Sequence, residues 1–177
     1  VNIEQSGKPI EFKNFNKFID SLPKVLAADA LRNIVDNIVK AHNKNRQVVL
    51  ALGAHVIKCG LSPIVIDLMK RGVVTAVAMN GSGAIHDYEI SLIGETSEDV
   101  SHSLKDGTFG MAKETAEAIQ AAASVPETGL GRALGNKILK DNNKYKQQSI
   151  LAEGARLNIP VTVHVAIGTD IIHMHPC

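Results

Sequence analysis

The chain has 177 residues, of which 45% are hydrophobic and 21% charged, and its 19 basic and 18 acidic side chains leave a formal net charge of +1. That composition fits one globular domain with a sizeable core and excludes a disordered or fibrous chain. Near-neutral charge and only 3% aromatic residues, with no Trp, remove the cation excess and the stacking platforms that nucleic-acid binding needs.

Two cysteines, Cys59 and Cys177, make no disulfide framework, and a reducing cytoplasm is expected. The polar start shows no signal peptide, and the apolar runs are too short to span a bilayer, so no membrane partner is expected.

In chain order, Ser21 and Pro23 mark a helix start, and Leu26, Ala30, Ile34, Ile38 and Ala41 carry a helical period to His42. Residues 47–51 form a continuous apolar strand, which predicts burial on both faces. Residues 61–70 are a crossover helix stopped by Gly72, and residues 73–79 a second buried strand, which completes a βαβ unit. Asn80-Gly81-Ser82-Gly83 is a glycine-rich turn, followed by helix over residues 87–93. Residues 94–106 are polar and predict a long connection. Helices follow over residues 111–124, 128–142 and 146–157, with Gly129, Gly131 and Gly135 weakening the second of these. Pro160 then precedes a strand over residues 161–167. The expected fold is one α/β domain over residues 1–177, Rossmann-like and three-layered, with a mainly parallel sheet flanked by helices.

Such sheets bind ligands outside the carboxyl ends of their strands. Three glycine-containing segments follow apolar strands: Gly53-Ala54-His55, Asn80-Gly81-Ser82-Gly83, and Gly168-Thr169-Asp170. A helix starting after the second would direct free N–H groups and a positive dipole end toward an anion. Gly53, His55, Asn80, Gly81, Ser82 and Gly83 are therefore the candidate nucleotide contacts. His86 is a candidate acid or base, and Asp87 and Asp170 are candidates for an amine or a ribose hydroxyl. The set lacks a complete G-x-G-x-x-G or a Walker A motif. His173 and His175, on one face of an extended strand and joined by Asp170, offer a rival reading as a metal-dependent hydrolase, with His55 or His86 as further ligands. A non-catalytic assembly module is a third reading.

The run from Leu50 to Leu61, the strand and turn from Val77 to Asp87, Ile159-Pro160-Val161 and Gly168-Thr169-Asp170 together resemble the deoxyhypusine synthase family. The resemblance implies NAD as cofactor, an amine substrate, transferase chemistry and a homo-oligomer. That family's lysine lies beyond its Ile-Pro-Val strand, whereas this chain has no lysine after Lys146, which is expected of a fragment of a longer chain or of a shorter relative.

Overall fold

A computed structural model describes residues 2–5, 19, 26–96, 103–105, 107, 108, 110 and 112–175. The expected helix start at Ser21 and Pro23, the end at Cys177 and much of the connection over residues 94–106 lie outside these residues.

Helix α1 spans Leu26–Asn43. Strand β1, Val49–Leu52, leads through the short helix α2, Ala54–Lys58, into α3, Ser62–Lys70. Pro63 sits in the first turn of α3, where its missing N–H deprives no helical bond, and Gly72 follows the helix at φ 67°. Strand β2, Ala76–Asn80, runs directly into α4, Gly81–Ile93, which Gly94 ends in a left-handed conformation. Helices α5, Lys113–Ala123, α6, Leu130–Lys140, and α7, Ile150–Leu157, precede strand β3, Val161–His164.

The three strands are parallel in the order β1-β2-β3. The chain is thus a mixed α/β protein of Rossmann-like type, as its alternating pattern predicts. Register explains which side chains reach the core. Leu50, Val77 and Val161 stand in one row, and Leu52, Met79 and Val163 in another, all on the face where the helices pack. Ile57, Met69, Leu134, Ile138, Ile150 and Leu151 are fully buried against that face. Strands taken in sequential order, each joined by a right-handed crossover, advance in one direction and so carry every connecting helix on one face.

The alternate row, Val49, Ala51, Ala76, Ala78 and Thr162, lies on the other face and is exposed or half-buried, with Val49 61% exposed. The apolar run of β1 is therefore not buried on both sides. Nor does α1 present its stripe to the core: Ile34 is 57% exposed.

Two element boundaries moved for local reasons. The expected helix over residues 146–157 is divided into a 3-10 turn, Lys146–Gln148, and α7, because Ser149 caps Ala152 N–H and begins a new helix there. The expected strand over residues 161–167 ends at His164, beyond which Asp170 accepts from Ala166 N–H and closes a turn.

Candidate functional site

The turn expected at Gly81-Ser82-Gly83 is the first turn of α4 itself. Asn80 is its N-cap, with Oδ1 accepting from Gly83 N–H at 2.9 Å. Both glycines answer to packing. A Cβ on Gly81 would lie 1.9 Å from Asp170 Oδ2, and one on Gly83 would stand 3.3 Å from Asn80 Oδ1 and Met79 Cβ. The carboxylate of Asp170 therefore rests against the positive end of α4, where the sequence places a ligand anion.

The strand ends meet on the open face. Ala51, Leu52 and Gly53 from β1, Ala78, Met79 and Asn80 from β2, and His164 from β3 line a shallow depression of about 460 Å³. Asn80 and His164 are register partners, and His164 Nε2 lies 2.9 Å from Thr162 Oγ1. Gly53 differs from the α4 glycines. Its φ is −104°, and an added Cβ would meet only Asn80 Nδ2, at 3.8 Å. No packing contact requires glycine there, while a ligand approaching the main chain benefits from one.

His55 is exposed on α2, beside the rim. Ser82 is half-buried, and Gly81 and Gly83 are buried. His86 lies about 7.5 Å farther along α4 than Gly81, at 1.5 Å rise per residue. Its Nδ1 is 2.9 Å from Oε2 of Glu89, which is buried, so the dyad leaves Nε2 to exchange a proton. Glu89, three residues beyond His86 on the same side of α4, is the residue that orients it.

Asp87 points inward. It is 1% exposed, and its carboxylate accepts from Ser149 Oγ, Ile150 N–H at 2.8 Å and Leu151 N–H at 3.2 Å. It thus caps α7 from across the fold, away from the rim. Burial pushes its carboxyl up to about 6, against the lowering effect of those three donors.

His173 belongs to a 3-10 turn, Ile171–Met174, and not to a strand, so the shared-face argument for His173 and His175 fails. His175 Nε2 lies 3.0 Å from the carbonyl oxygen of Gly110. Among the described residues, no three His, Cys, Asp or Glu side chains are grouped to hold a metal ion. Cys59 is an exposed free thiol. No helix among the described residues is long and apolar enough to cross a membrane.

The fold and its rim define a Rossmann-like α/β class, and the chain is similar to solved structures of that shape. One is apo ArgZ, an arginine dihydrolase from the ornithine–ammonia cycle in cyanobacteria. It is 15% identical at a TM-score of 0.54, over 90% of this chain and 19% of that one. Another is a conserved putative LOR/SDH protein from Methanococcus maripaludis S2. It is 17% identical at a TM-score of 0.55, over 85% of this chain and 43% of that one. At such identities the likeness is one of fold, and the chain spans less than half the length of either protein. No protein-family model matches the chain, and no curated protein matches it by sequence.

These neighbours overturn the deoxyhypusine synthase resemblance and the NAD-dependent transferase assignment that came with it. The physical reason lies in the motifs. An apolar strand, a small-residue turn and a helix recur wherever a parallel sheet meets its crossover helices, so their order reports the fold and not one enzyme family.

Proposed function

We propose that this chain is the ligand-binding α/β domain of an enzyme, and that the rim formed by Gly53, Asn80 and His164 takes a nucleotide-bearing ligand, with NAD the first candidate. The observation that carries this reading is the open depression at the carboxyl ends of all three strands, together with a glycine at position 53 that packing does not require. His55 stands beside the rim. Asp170 holds the end of α4, so the phosphates lie nearer Gly53 than Gly83 and Asp170 is left to meet a hydroxyl or an amine. ArgZ is an arginine dihydrolase, which makes arginine the first substrate-class ligand to try. His86, oriented by Glu89, is the proton-transfer candidate.

Calorimetric titration with NAD and with ADP-ribose tests the reading, followed by arginine added to the loaded protein. Saturable binding is expected, weakened at least tenfold by Gly53→Val and by His164→Ala. Gly53→Val keeps the fold, because its side chain enters the depression and not the core. Absent binding to a folded sample, or affinity unchanged in both variants, removes the rim as the site.

A further inference from the structure

The rim discriminates between ligands by the kind of polar atom it offers, and the first turn of α4 fixes that kind. A backbone N–H can only donate, so the Asn80 side-chain atom 2.9 Å from Gly83 N–H is the amide oxygen, and this oxygen is engaged in capping the helix. Its Nδ2 lies on the other side of the amide: it is the atom that a Cβ on Gly53 would meet, at 3.8 Å. The side chain at the end of β2 therefore presents N–H donors toward the end of β1, within the depression.

His164, the register partner of Asn80 on β3, completes the pair. Neighbouring strands lie about 4.8 Å apart, so one phosphate group can span both strand ends. The His164 ring is bonded through Nε2 to Thr162 Oγ1, which leaves Nδ1 for a ligand. An anion there selects a ring state with a proton on Nδ1, which the cation and one neutral tautomer both offer. Among the described residues that line the depression, Asn80 and His164 supply the polar side chains and none is acidic. Asp170 does not line it: its carboxylate is turned to Gly81 and to Ala166 N–H.

In βαβ nucleotide-binding units, an acidic side chain about 20 residues beyond the first βα turn accepts from the ribose 2′-hydroxyl of NAD, whereas a donor nearby accommodates a 2′-phosphate. Here Gly53 begins that turn and Asn80 ends the second strand, with donors where the carboxylate would stand. A free 2′-hydroxyl can accept one of these bonds but finds no carboxylate for its own hydrogen. A phosphate on the same oxygen accepts from both strand ends, and its charge strengthens each bond. We infer, on the strength of the nucleotide site proposed above, that the rim holds the adenosine ribose and selects its 2′-phosphorylated form, so that NADP binds in preference to NAD.

Calorimetry on the full 177-residue chain compares NADP with NAD, and adenosine 2′,5′-bisphosphate with AMP. The 2′-phosphorylated member of each pair is expected to bind about tenfold more tightly. Asn80→Asp replaces Nδ2 by an oxygen and keeps the α4 cap, since Asp and Asn cap helices equally well. The preference should then invert, with NAD gaining affinity and NADP losing it. His164→Glu puts a carboxylate at the adjacent, exposed strand end and should abolish the preference with the Asn80 cap untouched. NAD bound by the parent as tightly as NADP overturns the selectivity and leaves the rim standing as a nucleotide site. A preference that survives both substitutions also overturns it, because the discriminating group then lies elsewhere. Binding of neither dinucleotide to the folded chain removes the rim reading itself, and the selectivity with it.

Discussion

Asp87 shows how one buried carboxylate can hold a fold together while standing next to candidate catalytic residues. Three donors from the start of α7 converge on it, and its replacement by Ala strands all three away from water. Asp87→Ala is expected to lose about 3 kcal/mol or more in denaturant unfolding, the range for orphaned buried donors. Its pH signature follows from the raised carboxyl, about 6 against an ordinary 3.8. The folded state then holds the proton more tightly than the unfolded state does. The stability this contributes is present in full below about pH 4 and is lost as pH rises to about 6, beyond which it changes no further. A shift of that size corresponds to about 3 kcal/mol. Unfolding followed from pH 4 to 7 should show the decline in the parent and not in Asp87→Asn. An equal slope in both assigns the pH dependence to other groups. Gly81 makes a second single-residue test. Alanine there collides with Asp170 Oδ2, so Gly81→Ala is expected to lose about 1–3 kcal/mol. Asp170→Ala in the same chain should recover most of that loss, and additive losses in the double variant would place the strain elsewhere.

Among the elements, α6, α7 and β3 are joined by glycines that allow backbone contact. A Cβ on Gly131 would lie 1.9 Å from the carbonyl oxygen of Val161, and one on Gly135 2.3 Å from that of Leu151. Backbone oxygens in a packed helix and strand cannot move aside as a side chain tip can. Gly131→Ala and Gly135→Ala should therefore each destabilise by about 3 kcal/mol or fail to fold, although alanine is the better helix former by about 1 kcal/mol. Unchanged or raised Tm values would disprove the close approach. These glycines also mark the limit of what the sequence reveals. Residue by residue they argue against a helix, and only the neighbouring backbone explains them. The helices at Ser62–Lys70 and Lys113–Ala123 and both βα passages were legible because their periodicity and stops are local. The inward direction of Asp87 was not, because it depends on partners 62 to 64 residues away, and the bent end of β3 and the division before Ile150 turn on the side chains of Asp170 and Ser149, which periodicity does not show. At the site, Gly53 and Asn80 were legible as strand-end residues, while the role of Glu89 required seeing that it is buried beside His86.

At the scale of the molecule, stability is unevenly distributed. Helices α4, α6 and α7 share the core with β2 and β3, where Val77, Met79, Leu134, Ile138, Ile150 and Leu151 are almost fully buried. Helix α1 contributes four exposed aliphatic side chains and little buried area, and an 18-residue helix is only marginally stable without packing. Hydrogen exchange should reproduce this division. In dilute protein, amides of α4, α6 and α7 are expected to exchange only through global unfolding, while those of residues 26–43 exchange faster by orders of magnitude through local opening. Exchange in α1 as slow as in α4, α6 and α7 would mean that the helix is held by packing within its own chain.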